Sequence, residues 1–293
     1  MTEVEAQTGN NDTTRPEIAL ISDTQEPMGV ERIFLRYHKN ALATTKLLQD
    51  ITERMPRALF MLGDVVSLGY KEKKWRQIDS FLQRTRQMGI TVAAVLGNHD
   101  VMVSAARGET AFNKRFPDQV RTGFYKVVDS IAFVLLNSNF STLTAKQLQQ
   151  QQDFYETTMQ QMEADTNVRV IVVACHHSPY TNSRIVGSNA RVQERFVPAY
   201  MRTPKAKLFV SGHAHAFEHF RMKGKDFLTI GGGGGLHQPL SKKTTRIESL
   251  SDGYHPEFHY ILLKRYNDQV AIVSRRLKTD FSGFANEYEF TTR

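Results

Sequence analysis

Aspartate, asparagine and histidine gather at five points of this sequence, each just beyond a short apolar run. Ile18–Ile21 leads to Asp23 and Gln25, Ala58–Leu62 to Gly63–Asp64, and Val92–Leu96 to Gly97–Asn98–His99–Asp100. Val170–Ala174 leads to His176–His177, and Leu208–Val210 to Gly212–His213–Ala214–His215. Carboxylate, amide oxygen and imidazole are all ligands for divalent Fe, Mn or Zn. Two such ions roughly 3.5–4 Å apart can clamp the attacking and leaving oxygens of a phosphate ester in line. A carboxylate between them would bridge, a shared hydroxide would be the nucleophile, and the cationic centre would offset the ester's negative charge.

That chemistry requires the five points to meet. Short, nearly continuous apolar runs are the pattern of strands buried on both faces. In α/β sheets, sites form beyond the carboxyl ends of such strands. The five polar ends would therefore converge on one edge. Helical periodicity lies between several runs: Leu42, Leu47, Leu48, Ile51 and Met55 mark one face, and Trp75, Ile78, Phe81, Leu82 and Met88 another, with Gly89 as a stop. Thr144 and Gln147 form a capping-box pattern opening a third helix through Met162. Phe124–Leu136 reads as two strands turning at Asp129–Ser130, and Phe258–Leu277 as a hairpin turning at Asn267–Asp268. The chain is thus mixed α/β, and Gly212 would let the last polar point bend so that His213 and His215 both face the site.

Singly, each point has an ordinary meaning: a Gly-Asp turn, an aspartate cap, a pair of core histidines. Their joint occurrence in this order resembles the five-motif series of calcineurin-like metallophosphoesterases, over nearly all of Glu17–Leu277. The resemblance implies two stacked mixed β-sheets flanked by helices, a four-layer sandwich with metals at one edge. It implies a metal-dependent hydrolase of phosphoric mono- or diesters. Carried over, Asp23 and His215 would hold a first metal. Asn98, His213 and either His176 or His177 would hold a second, with Asp64 as the bridge. His99 would bind phosphate and protonate the leaving group, and Asp100 would orient His99 or support the site from behind. The family's first motif is usually Asp-x-His, so Gln25 departs from it: an amide oxygen is a neutral, weaker ligand for Zn or Fe. A gapless match to His176–His177–Ser178–Pro179–Tyr180 favours His176 over His177 as ligand.

Other features carry less chemistry. Gly231–Gly235 could cradle phosphate with its amides or form a tightly packed turn. His237 could reach substrate, and Arg184, Arg191 and Arg195 could form a basic lid or a solvated loop. Cys175 sits in an apolar strand and reads as an inert core thiol.

The 293 residues carry a net charge of +8, which favours anionic partners. A phosphate-ester small molecule is the expected substrate. Nucleic acid is possible but less favoured, because no zinc finger or basic aromatic stripe is present. A nuclease and a catalytically degraded scaffold of the same fold are the two competing readings. No apolar run approaches the roughly 20 residues of a membrane span. One cysteine excludes an intrachain disulfide and suits a reducing compartment, so a cytoplasmic location is expected. The expected organisation is a disordered leader over 1–16, one domain over 17–280 and a C-terminal tail over 281–293.

Overall fold

The structure is a computed structural model that describes residues 17–33, 35–243, 246–251, 253 and 257–293. The expected leader, 1–16, lies outside the described residues.

Two six-stranded sheets stack face to face. The first contains β1 (Ile18–Ile21), β2 (Ala58–Met61), β3 (Thr91–Ala94), β10 (His259–Tyr266), β11 (Gln269–Leu277) and β12 (Phe284–Thr291), in the order β12-β11-β10-β1-β2-β3. The second contains β4 (Phe124–Val128), β5 (Ile131–Leu136), β6 (Val170–Cys175), β7 (Ala206–Ser211), β8 (Phe217–Met222) and β9 (Lys225–Ile230), in the order β4-β5-β6-β7-β9-β8. Strands β1, β2 and β3 run parallel, as do β5, β6, β7 and β9, so both sheets are mixed.

Alternating residues along the central strands serve two cores. Ile18, Leu20, Phe60, Val172 and Val210 point between the sheets. Ala19, Ile21, Leu59 and Met61 face the other way, onto α1 (Asn40–Arg54), α2 (Glu72–Gln87) and α4 (Ala105–Arg115). The outer face of the second sheet is covered by α5 (Ala145–Ala164), α6 (Ala190–Arg195) and α7 (Val197–Arg202) through Tyr155, Val192 and Tyr200. The result is the expected α/β/β/α sandwich. The Thr144 hydroxyl accepts from the Gln147 N–H, and the Gln147 side chain returns to the Thr144 N–H, closing the capping box.

Three expectations need correction. Residues 284–291 of the expected tail form β12, paired along β11. A bulge at Ser274/Arg275 shifts the phase, so Phe284 packs toward the helices while Tyr288 and Phe290 pack between the sheets. Leu42 and Met55, assigned to the buried face of α1, are 44% and 64% exposed, because Ala43, Leu47, Leu48 and Ile51 define a narrower stripe. Met88 is exposed at 41%, just beyond the end of α2.

Candidate metal centre

All five polar points fall at the ends of β1, β2, β3, β6 and β7, which the two sheets bring to a common edge. Asp23, Asp64 and His213 each adopt positive φ, at 61°, 49° and 66°. Such a conformation is uncommon for non-glycine residues and turns each side chain out of its strand direction. The strand-end loops brace one another: Asp23 N–H donates to Gly63 O (3.1 Å) and Gln25 N–H to Asp64 O (3.0 Å).

The donor atoms form two groups. In the first, His215 Nε2 lies 3.4 Å from Asp23 Oδ1, while its Nδ1 lies 2.8 Å from Leu236 O. Donation from Nδ1 to that carbonyl leaves the Nε2 lone pair directed at the aspartate. Gln25 satisfies its surroundings when its amide nitrogen donates to Asp64 O (3.0 Å) and Asp23 O (3.1 Å). Its oxygen then faces His215 Nε2 and Asp64 Oδ2, at the positions 3.3 and 3.4 Å away. In the second group, His176 Nδ1 lies 2.9 Å from Leu62 O, and its Nε2 is 3.4 Å from Asp64 Oδ2 and 3.1 Å from Asn98 Oδ1. His213 completes it: one ligand atom from each of Asp64, His176 and His213 fall within 4.8 Å of one another. Asp64 borders both groups.

This arrangement fits divalent cations. With the two histidines neutral and donating through Nδ1, lone pairs of nitrogen and oxygen would face one another. A bound cation would convert that repulsion into coordination. Without a cation, a proton takes that place. Burial alone would raise the pKa of Asp23 and Asp64, yet neighbouring histidines outweigh it and hold both carboxylates below their ordinary value. Burial disfavours charged His176, but Asp64 beside it raises its pKa to about 9. His213 is pushed down to about 4 by burial and by His176. Protons and metal ions compete for these same lone pairs.

The structure separates the adjacent histidines. His176 is fully buried with Nε2 toward Asp64, whereas His177 Nδ1 lies 2.8 Å from Ser138 Oγ and its ring stands beside His213 at 4.5 Å. Ser138 carries no motif signal, because it reaches His177 from the end of β5, 39 residues away.

His99 sits at the start of α3 (Asn98–Val101). Its N–H donates to Asp64 Oδ1 (2.7 Å), and its Nε2 lies 3.9 Å from Asp64 Oδ2. The ring is held by Ser67 O at 3.3 Å from Nδ1, not by Asp100. Asp100 instead accepts from the N–H groups of Gly97 (2.9 Å), Val65 (3.1 Å) and Val66 (3.2 Å). It fastens the loop after β2 to the start of α3, so of its two expected roles these contacts match support of the site from behind and not the orienting of His99. Burial, then the Asp64 charge, raises its pKa to about 7.

Gly231–Gly235 is a packed turn rather than a phosphate cradle. The N–H groups of Gly231, Gly232, Gly233 and Gly235 donate to Ala216 O, Ile230 O, Ser22 O and Asp23 O. A Cβ on Gly235 would stand 2.3 Å from the His215 ring, and one on Gly212 would stand 2.5 Å from Asp23 Oδ2. Gly235→Ala should therefore displace His215 and reduce metal content, with a stability loss of about 1–3 kcal/mol. Metal analysis and thermal melting check this; unchanged values for both would contradict the packing argument. His237 packs at a tilt against Phe258 (4.4 Å) and stacks on His38 (5.4 Å). Arg191 and Arg195 lie over Phe140, and Arg195 donates to Leu148 O of α5. Cys175 is buried, which raises its thiol pKa.

The chain matches the calcineurin-like phosphoesterase family over residues 16–217 and belongs to that family. No curated protein sequence matches it. Among solved structures it is similar to a purple acid phosphatase from yellow lupin (Lupinus luteus) seeds, with 14% identity and a TM-score of 0.66, covering 94% of this chain. The chain spans 53% of the lupin enzyme's own length. It is also similar to GAP50, the anchor in the inner membrane complex of Plasmodium, with 14% identity and a TM-score of 0.68, covering 95% of this chain and 89% of that one. A dimetal phosphatase from Danio rerio aligns with 13% identity and a TM-score of 0.60, over 94% and 99% of the two chains. At these identities the likeness is one of fold. Among the described residues, no helix is long and apolar enough to cross a membrane.

Proposed function

We propose that this protein hydrolyses phosphoric esters with a two-metal centre at the shared sheet edge. The observation that supports it most is the clustering of buried donor atoms: Asp64 Oδ2 stands 3.4 Å from His176 Nε2, with Asn98 and His213 beside it, while Asp23, Gln25 and His215 form a neighbouring group. In this reading Asp23, Gln25 and His215 hold one ion, Asn98, His176 and His213 the other, and Asp64 lies between them. When bound, the ions supply Lewis acidity and a water of lowered pKa. The chain's own residues do the rest. His99 projects beside Asp64 without being part of either donor group, where its ring can bind a phosphate oxygen and pass a proton to the leaving oxygen. Ser67 O fixes the face of that ring. His177, held by Ser138, borders the second donor group on the substrate side.

A paired panel of aryl and alkyl phosphomonoesters and phosphodiesters tests this reading. Hydrolysis that disappears with a chelator and returns with Mn²⁺ is expected. Absence of turnover on every ester, with metal fully bound, would favour the second reading, a scaffold of the same fold. One observation favours that alternative: Gln25 stands where an imidazole would bind more strongly. In the enzymatic reading, Gln25→His tightens the first metal site by about tenfold. Calorimetric titration with Mn²⁺ measures it, and unchanged affinity at both sites would remove Gln25 from the ligand set.

A further inference from the structure

Behind the loops that carry Asp23 and Asp64, on the side facing α1 and α2, lies a cavity of about 250 Å³. The two loops form its wall. Asp23, Gln25 and Asp64 belong to the metal centre, while the intervening Thr24 and the following Val65 and Ser67 line the cavity. Thr24 Oγ1 donates to Val65 O (3.0 Å), closing the wall. The opposite side carries Lys73, Lys74 and Arg76 from the first turns of α2.

The charge of this cavity is not balanced. Lys74 pairs with Glu26 at 2.8 Å. The nearby carboxylates of α2, Glu72 and Asp79, are both engaged by Arg115, at 2.7 and 2.6 Å. Lys73 and Arg76 are left without a carboxylate partner among the described residues. Lys73 and Arg76 are both exposed at the mouth of this cavity. Two cations without a carboxylate partner beside a volume suited to a few heavy atoms favour a small, multiply charged oxyanion.

We propose that this cavity is a second anion site, for inorganic phosphate or a small phosphorylated molecule, distinct from the metal centre and sharing its wall. Ser67 connects the two: the residue lies in the cavity wall and its carbonyl is 3.3 Å from Nδ1 of the His99 ring. An anion held against that wall therefore stands one residue away from the ring proposed to meet the substrate.

The test is the stoichiometry of inorganic phosphate on the metal-loaded full chain, by calorimetry and ³¹P NMR at low ionic strength. Two phosphates per chain are expected. The double variant Lys73→Glu/Arg76→Glu should lose one, its affinity falling by about tenfold or more as two exposed cations become anions. Asp64→Asn should lose the other and keep the one behind the wall. Lys73→Gln/Arg76→Gln, which only neutralises the pair, guards against a folding defect and should weaken the same site by a smaller factor. Stoichiometry and affinity unchanged in both double variants would overturn the proposal. If the metal centre itself were misassigned, the wild type would bind a single phosphate that the double variant loses and Asp64→Asn retains.

Discussion

Asp64→Asn is expected to lower kcat by at least about a hundredfold and to leave the protein with less metal than the wild type. Asp64 is fully buried and borders both donor groups: Oδ2 lies 3.4 Å from His176 Nε2 and 3.4 Å from the Gln25 amide. Its carboxylate stays anionic despite burial because the histidines around it favour the charged form. Asparagine preserves the shape and can still accept the His99 N–H at Oδ1, so the loop after β2 should keep its position. What the substitution removes is the charge between the two groups. The loss should therefore appear in metal analysis and in kcat, with little change in the melting temperature of metal-depleted protein. Full activity with both metals retained would contradict the bridging assignment.

His99→Ala should keep both metals yet slow turnover, and by an amount that depends on the leaving group. The imidazole stands 3.9 Å from Asp64 Oδ2, is held through Nδ1 by Ser67 O and is nearly buried. Nδ1 donation to that carbonyl leaves Nε2 as the atom facing the site. A proton donor there matters most for alkoxide leaving groups and little for p-nitrophenolate, which departs unaided. An alkyl ester should lose about 10²–10⁴-fold in kcat, the range of general acid catalysis, and an activated aryl ester much less. Equal losses on both would restrict His99 to phosphate binding, and no loss on either would exclude it from the reaction.

Much of this architecture is legible in the residues because of one physical circumstance. Strands such as Val170–Cys175 and Ile131–Leu136 are buried on both faces, so they appear as unbroken apolar runs, and the polar residues that end them are conspicuous. The convergence of Asp23, Asp64, Asn98, His176, His213 and His215 follows once those strands share an edge. Three kinds of feature resist such reading. Asp100 has a motif position beside His99, but its partners are backbone N–H groups of residues 65, 66 and 97, which only the folded chain assembles. His176 and His177 are equivalent by type, and only the Leu62 carbonyl and the Ser138 hydroxyl give them different directions. In β12 the bulge opposite Ser274/Arg275 interrupts the alternation, so Phe284, Tyr288 and Phe290 do not mark a single face. The glycines of 231–235 have a similar ambiguity. Their packing against Ser22 and Asp23 depends on a neighbouring loop more than 200 residues earlier in the chain.

The central claim is that the two donor groups bind two divalent ions that are required for phosphoester hydrolysis. It is tested most directly by elemental analysis of the purified chain, followed by chelation and stepwise return of Mn²⁺ while hydrolysis of one ester is recorded. The account predicts that activity falls to background without metal and returns as the chain approaches two ions, with the site containing Gln25 filling last. Activity that survives complete removal of metal, or a chain that binds two ions and hydrolyses neither monoesters nor diesters, would contradict it.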